Sequence, residues 1–169
     1  MSEFAQLSRT SIAGAVFIIL LGVPLHFLYS STGFVFVAWL APINESTWEH
    51  LKLVFWPGVV WAAWEWARYP GYRKGFWSGK CVALFSSTAS IVAIFYGYTA
   101  ILGDNFFLLD IATFLLSVVI GQWLGYLVWK RERNSSIAFW LVLALAYAFV
   151  VFSYDPPNWF LFEAPRVEG

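Results

Sequence analysis

Asn44-Glu45-Ser46-Thr47-Trp48-Glu49-His50-Leu51-Lys52 sets two carboxylates, an imidazole, an amine and two hydroxyls into a chain that is almost wholly apolar on either side. Asn44 or Ser46 is suited to cap a helix N-terminus. Ser46 with Glu49 has the Ser-x-x-Glu spacing of a capping box, so the stretch is expected to open a helix. On a helix read from Glu45 onward, Glu45, Glu49 and Lys52 share one face, being four and three residues apart. His50 then points about 100° away, toward the side carrying Ser46 and Val54. The stretch marks the start of a helix and the place where the chain concentrates its chemistry.

Composition says what surrounds that helix. The 169 residues are 60% hydrophobic, 21% aromatic and 12% charged, whereas a soluble domain carries about 25% charged residues. These proportions predict an all-α polytopic integral membrane protein with one transmembrane domain over residues 1–169. At about 20 residues per crossing, the apolar runs give five spans, at about 12–30, 45–68, 81–102, 106–129 and 136–153. The segment 33–43 is too short to cross and is expected to be interfacial or re-entrant. Pro24 should kink the first span and Pro57-Gly58 should bend the second. Turn chemistry follows at 69–75, at Gly103-Asp104-Asn105, at 130–134 and at Tyr154-Asp155-Pro156-Pro157-Asn158. Trp159-Phe160-Leu161-Phe162 reads as an interfacial tail, and the 11 tryptophans suit belts at a membrane surface.

Charge orients the spans. Arg9, Arg68, Arg73, Lys74, Lys80, Lys130, Arg131 and Arg133 fall on one side of the five-span arrangement, leaving Lys52 and Arg166 on the other. The positive-inside rule then places the N-terminus in the cytoplasm and the C-terminus outside. His26, the 45–52 cluster, Asp104, Asp110, Asp155 and Glu163 all lie at outer helix ends, where they are able to converge on one polar pocket. Glu65 lies about 24 Å along the helix from Glu49, at the other end, where Arg68 is within pairing distance. A net charge of zero argues against nucleic acid as a partner. The single Cys81 excludes an intrachain disulfide and any multi-cysteine metal site.

The candidate ligand-binding residues are therefore Glu45, Glu49, His50, Lys52, His26, Asp110 and Asp155. His26, Glu49 and His50 are the candidate ligands for a divalent metal, with Glu45, Asp110 or Asp155 able to complete the sphere. Neither a His-Glu-x-x-His helix nor its inverse is present. Haem between two axial histidines is less favoured, because both lie near one surface and no Cys-x-x-Cys-His motif is present. A competing reading makes Glu49 or His50 the general acid or base of an enzyme acting on a lipid-like substrate. Ser46 and His50 have helical spacing for a nucleophile and base, but no Gly-x-Ser-x-Gly elbow accompanies them. The plainest reading leaves the acids as cap and dipole partners in a structural subunit of a membrane complex. Gly121 and Gly125 have the small-x-x-x-small spacing of close helix contact, within the chain or with a second copy or membrane partner.

The 44–52 stretch, with Phe55-Trp56-Pro57, Leu109-Asp110, Gly121-Gln122 and Ser153-Tyr154-Asp155-Pro156-Pro157, resembles an uncharacterised family of small bacterial integral membrane proteins. Its signature is Asn-Glu-Ser-x-Trp-Glu-His-x-Lys, and a Pro-Pro pair follows its last span. The resemblance extends over most of the chain and implies a bacterial inner-membrane location without implying an activity. Family tails usually continue to an Asp-Pro pair, where this chain has Glu163-Ala164-Pro165.

Overall fold

Five helices run α1 (Glu3–Thr32), α2 (Thr47–Arg68), α3 (Phe76–Leu102), α4 (Phe107–Trp129) and α5 (Ser136–Tyr154) in a computed structural model that describes residues 3–133 and 135–164. Short 3-10 turns occupy Val35–Trp39, Pro70–Tyr72 and Phe160–Phe162, and no strand occurs among the described residues. Asn134, Pro165 and Arg166, which entered the turn, tail and charge expectations, lie outside them. Neither internal proline ends its helix: α1 continues through Pro24 and α2 through Pro57.

Four of the helices, α1 from Ala5 onward, α3, α4 and α5, are long and apolar enough to cross a membrane. The expected second span, α2, differs from them in carrying Glu49, Lys52, Glu65 and Arg68. Yet α2 is the best-buried helix. More than half of its 22 residues are buried, against four of 19 in α5. α1, α3 and α5 pack on α2, while α4 joins through α1 and α3. The apolar helices thus enclose the polar one, which is the arrangement that keeps buried charges among their partners. Phe55, Val54, Ile18, Val118 and Phe149 form the core between them.

The α3–α4 hairpin is the most extensively packed pair. Gly103 closes α3 at φ 82°, a left-handed conformation that glycine adopts without Cβ strain, and its N–H donates to the Thr99 carbonyl at 2.8 Å. Gly121 and Gly125 lie inside this contact. A Cβ on Gly121 would stand 2.5 Å from the Ala83 carbonyl, and one on Gly125 would stand 2.7 Å from that of Gly79. The small-residue stripe therefore packs against α3 of the same chain.

At the end of α2 bearing Arg68, here called its foot, Glu65 pairs with Lys80 rather than with Arg68. The reason is that α3 starts at Phe76, five residues before the expected 81, and so carries Lys80 into the bundle. Thr10 donates to Glu65 Oε1 at 2.7 Å, and the Lys80 ammonium lies 4.5 Å from the Trp129 ring centre and 5.5 Å from that of Phe76. One buried ion pair thereby ties α1, α2, α3 and α4 together. Arg68 instead lies over the Tyr69 ring at 5.6 Å.

Candidate metal centre

The opposite end of α2, its head, is set by its cap. Ser46 Oγ accepts the Glu49 N–H at 3.4 Å, and Asn44 Oδ1 accepts the Ser46 N–H at 2.9 Å. The Glu49 side chain does not return to Ser46 as a capping box would have it. Its Oε2 accepts the Ile43 N–H at 3.0 Å and the Lys52 ammonium at 2.6 Å. Because the helix starts at Thr47, Glu45 stands ahead of it and does not share a helical face with Glu49 and Lys52. That residue is instead free to swing toward His50.

Behind the cap, Lys52 and Glu49 are fully engaged with each other and their neighbours. Lys52 Nζ donates to Glu49 Oε2, to the Ala38 carbonyl at 2.8 Å and to Ser153 Oγ at 2.5 Å, which uses all three ammonium protons. Ser153 Oγ lies 3.1 Å from Glu49 Oε1 and 2.7 Å from the Phe149 carbonyl, and its one proton serves these acceptors. Lys52 and Glu49 are both buried. Glu49, expected among the metal ligands, thus has both oxygens occupied. The network binds α2 to α5 and pins the segment that delivers Glu45.

In front of the cap stand His26, Glu45 and His50. Donor atoms of the three all lie within 4.8 Å of one another. α1 brings His26 there by passing close to α2 at Gly22, where a Cβ would stand 2.9 Å from the Leu53 carbonyl. That carbonyl is the one Pro57 leaves without its helical donor. The two imidazole centres are 5.0 Å apart with planes at 62°. His50 Nδ1 lies 2.9 Å from the Ser46 carbonyl, and because a carbonyl only accepts, Nδ1 carries the proton. In the neutral ring, Nε2 then presents its lone pair to Glu45 Oε2 at 3.4 Å. Two lone pairs facing each other repel, and a cation shared between them would remove that repulsion. His26 Nδ1 is shielded from solvent and has no hydrogen-bond partner.

One separation in this set, whose donor atoms all lie within 4.8 Å of one another, has the length a zinc-type ion requires. With bonds of about 2.0–2.1 Å in tetrahedral geometry, neighbouring ligand atoms stand about 3.4 Å apart. The His50–Glu45 separation already equals that edge. The bond from His50 Nδ1 to a backbone carbonyl is the outer-shell contact that fixes tautomer and ring orientation in metal-ligating histidines.

The other expected site residues lie elsewhere. Asp110 accepts from the Tyr98 hydroxyl and from Asn105 Nδ2 at 3.2 Å, within the α3–α4 hairpin. Asp155 is exposed at the C-cap of α5. Neither shares a hydrogen bond with the histidines among the described residues. Ser153, Thr10 and Lys80 were not singled out as partners in the sequence. Ser153 lies in the polar Ser-Tyr-Asp end of α5, and the buried position of Lys80 follows only once α3 is extended back to Gly75.

The fold and its polar head define a class: an all-helical protein with four membrane-length apolar helices enclosing a fifth at one end of which two histidines meet, His50 its own and His26 brought by α1. Within that class the chain belongs to the family of unknown function DUF6512, which it matches over residues 1–168. No curated protein and no solved structure matches it.

Proposed function

We propose that this is a five-span protein of the bacterial inner membrane, N-terminus cytoplasmic, that binds a divalent transition-metal ion at its outer face through His26, Glu45 and His50. The observation that carries the reading is the convergent donor set: an oriented Nε2 of His50 facing a Glu45 carboxylate oxygen at 3.4 Å, with a ring nitrogen of His26, whose shielded Nδ1 has no hydrogen-bond partner, within 4.8 Å of both. Ionisable groups at a membrane helix end are costly to leave unpaired, and a metal satisfies all three at once. α2 counts as the fifth span because Glu49, Lys52 and Glu65 are paired inside the bundle and its exposed residues other than Arg68 at the foot are apolar. The basic residues at the foot and in the 69–75 and 130–133 turns support the orientation.

Zinc titration of chelator-stripped protein in detergent, followed by calorimetry and elemental analysis, tests the site. One ion per chain is expected, with affinity reduced about 100-fold or more in His26→Ala and His50→Ala. Unchanged binding in both variants, or no binding by the parent protein, would remove the metal. Reporter fusions within residues 70–79 should report the cytoplasm.

A further inference from the structure

Resting on that metal reading, we infer that the ion keeps one coordination position open to the outer surface, and that this position takes a monoanionic oxygen donor of the phosphodiester or carboxylate kind. Three protein donors leave a tetrahedral ion one short; of the acids that might supply a fourth, Glu49 and Asp110 are engaged, and the exposed Asp155 is not among the converging donors. Glu49 is held by Lys52, Ile43 and Ser153, and Asp110 by Tyr98 and Asn105. The exposed side of the site is also the ion's free side: the Glu45 side chain is 71% exposed and that of His50 28%. A site with three protein ligands and access to solvent is the reactive or exchanging type, whereas structural sites are closed by four.

Charge names the class of ligand. The ion contributes +2 and Glu45 −1; coordinating imidazoles are neutral, and Glu49 cancels Lys52. One positive charge remains, augmented by the N-terminal end of the α2 dipole. A monoanion neutralises it, while neutral and cationic ligands do not. An apolar, exposed side chain adjoins the site: the Phe27 ring lies 4.8 Å from that of His26. The same anionic group therefore has two sources, a lipid headgroup whose chains lie against this ring or a soluble molecule.

Cobalt(II) bound in place of zinc reports both points through its visible spectrum. The cobalt protein in detergent would be titrated with azide, acetate, dimethyl phosphate and dihexanoyl phosphatidylglycerol. A saturable change with azide and with at least one oxygen donor is expected. Response to the phospholipid at concentrations where dimethyl phosphate and acetate are silent identifies a lipid headgroup; a response to the soluble anions at equal concentration identifies a soluble ligand. If cobalt binds one per chain and no additive moves the spectrum, the site is closed and this inference fails while the metal reading stands. Movement by azide alone overturns the oxygen-donor assignment. Failure of cobalt and zinc to bind removes the metal reading itself.

Discussion

The two ends of α2 carry the same chemical device in different surroundings. At the foot, Glu65 and Lys80 are buried together, a threonine hydroxyl takes one carboxylate oxygen, and aromatic rings cover the ammonium. Around this pair lie Phe76, Trp129 and Leu7, with Tyr72 and Tyr126 packed against them. At the head, Glu49 and Lys52 are as deeply buried, but the pair adjoins a capping turn with two imidazoles and a second carboxylate whose donor atoms converge. A buried ion pair alone is thus no sign of a site in this molecule. What separates the ends is the second layer of converging groups that the head pair supports.

The sharpest way to break that contrast is to remove one cation at each end. Lys80→Met and Lys52→Met each leave a buried carboxylate unpaired, and each is expected to cost about 3–5 kcal/mol of stability, read from reversible unfolding in detergent. Their effects on zinc should differ. Lys80→Met leaves the affinity as it was, whereas Lys52→Met weakens it at least tenfold, because Lys52 pins the Ala38 carbonyl and holds the carboxylate that pins the Ile43 N–H. Equal zinc affinities in the two variants would mean that the head pair does not position Glu45.

Replacing both members of the foot pair sharpens the comparison further. Glu65→Leu with Lys80→Met leaves no uncompensated charge, and the double variant is expected to recover most of the stability lost by Lys80→Met alone, ending within about 1–2 kcal/mol of the parent. Zinc affinity should be unaltered. A double variant as unstable as the single one would show that the foot pair does more than satisfy itself.

Much of the head was legible in the sequence, for local reasons. Capping, turn chemistry and apolar runs act over a few residues; they made Ser46 one of two cap candidates and brought α2, α4 and α5 within a few residues of their places, while α1 starts at Glu3 rather than about 12 and α3 at Phe76 rather than about 81. What local spacing does not carry is which long-range partner wins. Arg68 sits three residues from Glu65, yet Lys80 takes it, because the α2–α3 turn folds Lys80 beneath apolar rings where a charge must find a carboxylate. Glu49 has the spacing of a capping-box acid and of a ligand, yet Asn44 caps the Ser46 N–H and Lys52 claims the carboxylate. Glu45 becomes the acid beside the histidines for that reason. Gly121 and Gly125 were legible as a contact stripe, but their spacing could not say which helix they face.

The smallest expected effect tests how far the support for the head extends. The Trp39 indole N–H donates to the Tyr154 hydroxyl at 2.7 Å, and that hydroxyl donates to the Val35 carbonyl at 3.1 Å, so the end of α5 holds the segment leading to Glu45 from its exposed side. Tyr154→Phe removes both bonds without opening a cavity. Each exposed bond contributes about 0.5–1.5 kcal/mol at most, with water ready to replace the phenol. Stability should therefore fall by about 1 kcal/mol, and zinc affinity by no more than about threefold, because the pins at Ala38 and Ile43 lie closer to Glu45 and remain. A loss of zinc binding comparable to that of Lys52→Met would place the decisive restraint on the exposed side of the segment. The buried pair would then be, at the head as at the foot, a clasp between helices and nothing more.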